Sequence, residues 1–155
     1  MITRVGITGP PIDVKEIAKR YGVEVREESF PDDISGALHR GREHAVIAVN
    51  KGHGENRQRF TIAHELAHYL LHADSPAYYD QEHQVGVHFR ASRAAGNWDV
   101  KEVEANRFAA ELLMPRRMII DAIVRSGAAE ASELARQFKV SEEAMTYRLA
   151  DIRLR

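Results

Sequence analysis

The residues best equipped for chemistry fall in one short stretch, His64-Glu65-Leu66-Ala67-His68. On an α-helix, side chains four positions apart share a face, so both imidazoles can reach one ion and chelate it. Glu65 projects about 100° around the helix axis from His64, an angle that misses the ion but meets a water beside it. That is where a general base for hydrolysis belongs. A catalytic zinc takes three protein ligands and leaves a fourth position open, so two histidines demand a third donor from elsewhere. The chain has no cysteine, which restricts that donor to histidine or carboxylate.

Two glutamates downstream compete for the place, in Glu102-Val103-Glu104-Ala105-Asn106. A ligand imidazole is normally oriented by a hydrogen-bond acceptor behind it. Glu102 has Asn106 four residues on to serve as that acceptor, whereas Glu104 has only Phe108. This ranks Glu102 first and keeps Glu104 as its rival. His72 continues the face of His64 and His68, but about 6 Å of helical rise separates it from His68. A capping or supporting role is expected for it. The chain holds eight histidines, of which His39, His44, His53 and His64 fall within 26 positions. With that composition the bare motif arises by chance in roughly 4 chains of 100, so its setting must carry the argument.

The setting is a helix. From Glu55 to His72 apolar residues recur at Phe60, Ile62, Ala63, Leu66, Ala67, Leu70 and Leu71, with no proline or glycine after Gly54, predicting a broadly apolar, buried helix. Asp99 to Met114 reads as a second long helix, stopped by Pro115, which suits the first turn of another over Arg116 to Val124, ended by Gly127. Upstream, Asp13 is placed to cap a short amphipathic helix ending at Tyr21, with Gly22 beyond it. Val23 to Arg26, Ile34 to Leu38 and Ala45 to Val49 alternate as strands do and predict a small antiparallel sheet, the last two flanking a turn at Arg40-Gly41-Arg42. Asp74 to Asn97 shows no clear period and reads as a long loop with a short strand at Gln84 to Phe89. The tail puts Leu134, Ala135 and Phe138 on one helix and Ala144, Met145, Leu149 and Ile152 on another, joined at Lys139-Val140-Ser141. The expected class is α+β: a mostly helical core on a small sheet over residues 1–126, with a helix-turn-helix-like segment over 127–155 packed on it.

Bulk properties narrow the partners. At 155 residues the chain suits one domain with a short appendage, and no segment approaches the roughly 18 apolar residues of a membrane span. Met1 to Gly9 lacks the apolar stretch of a secretory signal, and the absence of cysteine suits a reducing compartment, so a cytoplasmic location is expected. A net charge of −1 provides no global field for a polyanion.

The run Arg59-Phe60-Thr61-Ile62-Ala63-His64-Glu65-Leu66-Ala67-His68-Tyr69-Leu70-Leu71-His72, followed by Glu102 to Pro115, resembles the ImmA/IrrE family of metallopeptidases. The likeness extends weakly through Ile34 to Asn50 and Leu134 to Leu149. It implies a zincin-like core, with His64, His68 and Glu102 on the family's ligand positions and Glu65 on its catalytic glutamate. It also implies a protein substrate, since members are typically bacterial or phage proteins that cleave a helix-turn-helix repressor, relieving repression of mobile-element, prophage or stress genes. Some resemble toxin–antitoxin partners. Radiation-response members carry a further sensor domain after the helical segment, and this sequence ends at Arg155, so any sensing is expected to occur otherwise.

The chemistry expected is metal-assisted peptide hydrolysis, with zinc the best match to a His₂Glu set and manganese or another divalent ion also able to fill it. Tyr78, Tyr79, His83 and His88 are candidates to stabilise the oxyanion, and Ala45 to Val49 is a candidate sheet edge for an extended substrate. A rival class is a DNA-binding module in which the metal is structural. Charge opposes it: Glu142 and Glu143 stand where a reading helix meets phosphates, while Arg148, Arg153 and Arg155 lie at its far end. A further alternative is a metal-binding, toxin-like regulator without proteolysis.

Overall fold

Asp13 starts the first helix as predicted: its carboxylate accepts the Glu16 N–H at 3.0 Å, and α1 runs over Val14–Arg20. Gly22 then takes a φ of 75°, which turns the chain into β1 (Val23–Glu28) at no Cβ cost. The computed structural model describes residues 9–41, 44–73, 78–81, 100–127 and 130–153, with the backbone alone at 78–81 and 153.

β2 (Ile34–Arg40) and β3 (Ala45–Asn50) form a hairpin whose end is closed by the Gly41 N–H donating to the His44 carbonyl at 2.9 Å. β4 (Tyr78–Gln81) completes a four-stranded sheet of order β1-β3-β2-β4. The sheet is mixed, which corrects the antiparallel expectation: β2 runs antiparallel to both β3 and β4, but β1 pairs with β3 in parallel. Alternation along a strand reveals which side chains share a face, not which neighbour the strand takes. The order also overturns the candidate substrate edge at Ala45 to Val49, because β3 is hydrogen-bonded on both sides, and among the described strands the outer ones are β1 and β4. β4 lies inside the stretch read from sequence as loop, and the strand expected at Gln84 to Phe89 lies outside the described residues.

Against this sheet packs α2 (Glu55–Leu71). Every residue from Phe60 to His68 is buried, so the helix is covered on all sides over two turns. Gly36 permits part of that approach: a Cβ built there would lie 2.6 Å from the Ala48 carbonyl oxygen and 2.6 Å from Thr61 Cγ2. β2 can therefore meet both α2 and β3 only with glycine at this position. Arg57 of α2 reaches back to the same strand, donating to Ser35 Oγ at 2.9 Å.

α3 (Val100–Leu113) packs along α2 and leads through Pro115 into α4 (Arg116–Ser126), which Gly127 ends with a φ of 68°. α5 (Ala131–Phe138) and α6 (Glu142–Arg153) follow. Their apolar faces join the main core, where Leu134, Phe138 and Met145 belong to the same buried cluster as Ile62 and Leu113. The turn between them is stitched to the first turns of α2: Asn56 donates to the Val140 carbonyl at 3.0 Å, Arg59 to the Lys139 carbonyl at 3.2 Å, and Lys139 Nζ to Glu55 at 2.8 Å. The last contact holds the Glu55 carboxyl below its ordinary range, the hydrogen bond from Lys139 being the main cause. Among the described residues no helix is long and apolar enough to cross a membrane.

Candidate metal centre

The long helices α2 and α3 bring three ligand-type side chains to one point. His64 and His68, one turn apart on α2, set their Nε2 atoms 3.0 Å from each other. Glu102, in the first turn of α3, places one carboxylate oxygen 3.2 Å from His64 Nε2 and the other 3.1 Å from His68 Nε2. Both imidazoles are buried at 1% exposure, and the Glu102 side chain keeps 22%. These are the three side chains among the described residues that converge with metal-ligand geometry.

Behind His64 stands Asn106, one turn after Glu102. Its Oδ1 lies 3.0 Å from His64 Nδ1. A carbonyl oxygen only accepts, so this contact calls for a proton on His64 Nδ1, and in the neutral ring that tautomer carries its lone pair on Nε2, the atom that faces His68 and Glu102. A neutral imidazole with its lone pair aimed at a second imidazole and a carboxylate is a donor set for a divalent cation. Tetrahedral zinc with Zn–N bonds of 2.0–2.1 Å separates two nitrogens by about 3.4 Å, a few tenths from the spacing found. The residues therefore fit the ion.

Glu65 directly follows His64 and is fully buried. Glu104, the sequence rival of Glu102, is turned away from that point: its side chain is 55% exposed, and it lies 3.8 Å from the His72 imidazole. His72 is the C-cap of α2. Its Nε2 donates to the Lys101 carbonyl at 3.1 Å, linking the end of the histidine-bearing helix to the residue before Glu102. Of the oxyanion candidates, Tyr78 and Tyr79 lie on β4, where the backbone alone is described, and His83 and His88 lie outside the described residues. Arg40, read from sequence only as part of a turn, donates to carbonyls at the end of α2. No local pattern marks that contact, since 28 positions separate the partners.

A model of the family Peptidase_M78, described as the IrrE N-terminal-like domain, matches residues 18–150. The chain belongs to this family. Within Peptidase_M78 it is similar to the radiation response metalloprotease IrrE of Deinococcus deserti, 37% identical over 111 residues, covering 70% of this chain and 37% of that protein. The IrrE of Deinococcus radiodurans is 33% identical over 113 residues, covering 70% of this chain and 32% of the other. The chain thus spans about a third of the length of these two relatives. An uncharacterized immunity region protein 2 of Bacillus phage phi105 is 29% identical over 102 residues, 64% of this chain and 57% of its own. A Mycobacterium tuberculosis transcriptional regulator shares the fold, with a TM-score of 0.67 at 22% identity over 97% of this chain and 44% of that one.

Proposed function

We propose that this Peptidase_M78 member is a zinc-dependent endopeptidase that cleaves an exposed segment of a helix-turn-helix repressor in the cytoplasm and so relieves repression. The observation that carries the reading is the meeting of His64, His68 and Glu102 within 4.8 Å, on two helices, inside a matched peptidase domain. His64 and His68 would hold the ion through Nε2 and Glu102 through its carboxylate, with Asn106 keeping the His64 lone pair directed inward. When bound, zinc supplies Lewis acidity, which polarises a peptide carbonyl and makes water nucleophilic near neutral pH.

The chain's own residues do the rest. The Glu65 carboxylate takes the proton from the attacking water and delivers it to the amine nitrogen as the C–N bond breaks. A folded repressor hides most of its backbone, so the scissile bond belongs in a linker or loop. The proposed division, a peptidase domain over 1–126 carrying the 127–155 hairpin, gives that hairpin a role in packing or substrate docking. Its turn is tied to α2 through Glu55, Asn56 and Arg59, which leaves the start of α6 poorly placed to enter a DNA groove. Co-expression with a repressor encoded beside this chain, followed by intact-mass measurement, tests the reading. Two fragments summing to the repressor plus one water are expected; an uncut repressor with zinc-loaded protein would defeat it in favour of a metal-binding regulator that does not cleave.

A further inference from the structure

A helix leaves its last four carbonyls without intrahelical partners, and its final turn is the part that frays. In α2 that final turn begins at His68, whose carbonyl accepts the N–H of the C-cap His72 at 3.0 Å, so one of the two imidazoles of the candidate metal centre stands on the last turn of its helix, whereas His64 lies a full turn further in. Something must hold this end.

The holder comes from the sheet. Arg40, the last residue of β2, donates from Nη2 to the His68 carbonyl at 2.6 Å and to the His72 carbonyl at 3.1 Å, and from Nη1 to the Tyr69 carbonyl at 3.2 Å. Its guanidinium also lies 5.1 Å from the centre of the Tyr69 ring, within the range of a cation–π contact. A fixed positive charge at a helix C-terminus opposes the partial negative charge of the exposed carbonyls. The planar fork is what lets one side chain bind three of them at once, a geometry that the point charge of lysine does not reproduce.

The same turn is tied on its other side. His72 donates to the Lys101 carbonyl, adjacent to Glu102. Arg40 thus fixes the backbone of His68 to the sheet, while His72 fixes the end of the turn to the helix that brings the carboxylate. Arg57 also bridges β2 and α2, but through Ser35 Oγ, nearly two turns before His64 and touching none of the three ligand-type side chains.

We propose that Arg40 is a positioning residue for the metal centre, setting the geometry of His68 through that residue's own carbonyl. The inference rests on the metal reading above and extends it to the sheet.

The test uses the full chain and cobalt(II), whose visible absorption reports ligand geometry, in three variants: Arg40→Gln, Arg40→Lys and Arg57→Gln. Arg40→Gln is expected to weaken cobalt binding by about 10-fold or more, in the range for groups that orient a ligand, and to alter the visible bands. Arg40→Lys should recover part of the affinity. Arg57→Gln, which cuts a comparable sheet-to-helix tie, should stay within about twofold of the unaltered protein, since it orients no ligand. Thermal melts of the metal-free proteins separate loss of fold from loss of geometry, and if Arg40→Gln fails to fold, weakened binding by folded Arg40→Lys decides in favour. Unaltered affinity and spectrum in a folded Arg40 variant would overturn the inference, as would an equal loss in Arg57→Gln. Failure of the unaltered protein to bind cobalt, zinc or manganese would remove the metal reading itself.

Discussion

Asn106 Oδ1 faces His64 Nδ1 at 3.0 Å across the seam between α2 and α3. That single contact selects the tautomer whose lone pair points to His68 and Glu102, and it joins the two helices in a buried setting where a lost partner is costly. Replacing Asn106 by leucine of similar size should weaken zinc binding by about 10- to 100-fold. Asn106→Asp, which retains an acceptor, should preserve it. Zinc titrations against a competing chelator dye decide between these outcomes, and a leucine variant with undiminished affinity would show that the contact does not orient the ligand.

The two carboxylates that compete in sequence are separated by their surroundings. Glu102 sits within 3.2 Å of both imidazoles, while Glu104 is half-exposed beside His72. Glu102→Gln should therefore lower zinc affinity by more than about 100-fold, beyond what losing an orienting group costs, and Glu104→Gln should leave it unchanged. Binding to the folded state alone stabilises by about 4 kcal/mol at a thousandfold excess over Kd. Melting curves with zinc and with chelator should differ fully for the unaltered protein and for Glu104→Gln, and for Glu102→Gln by no more than about 1.4 kcal/mol of stabilisation at the same zinc concentration.

Glu65 is assigned proton transfer without a share in holding the ion. Glu65→Gln should keep zinc stoichiometry and lose cleavage by about 10²- to 10⁴-fold, the usual contribution of a general base. Fragment formation quantified with the co-expressed repressor is the measurement. Near-normal cleavage by the glutamine protein would assign the proton to another group.

Gly36→Ala tests the scaffold. The added methyl would lie 2.6 Å from a backbone oxygen of β3 and from Thr61 of α2, so strand or helix must move, at a cost of about 1–3 kcal/mol for overpacking. A lowered denaturant midpoint is expected, with weaker zinc binding because Thr61 lies one turn before His64 and Glu65. A midpoint equal to that of the unaltered protein would mean that the contact relaxes freely.

Duplex DNA titrated at low and moderate salt should show no affinity that falls steeply with ionic strength. The turn before α6 is occupied by Asn56, Arg59 and Glu55, and Glu142 and Glu143 begin the helix. Tight, salt-sensitive binding would restore the DNA-reading class.

How much of this was legible in the sequence follows from distance along the chain. The pitch of a helix is intrinsic to the backbone, so His64 and His68 had to share a face once their stretch was helical. Asp13, Gly22 and Gly127 likewise marked helix ends through chemistry confined to a few residues. The spacing of Glu102 and Asn106 favoured the side of α3 that lies against His64 and His68, although it could not bring that side to α2.

Only tertiary packing made that decision. It placed β1 beside β3 in parallel, buried β3 within the sheet, and put Arg40 under the end of α2 from 28 positions away. These relations depend on which surfaces exclude water together, and many pairings of the same amphipathic segments satisfy the local pattern equally well. Neighbouring residues specified the two imidazoles by themselves; the carboxylate, the amide behind His64 and the clamp on His68 came from segments that meet only after the chain has folded.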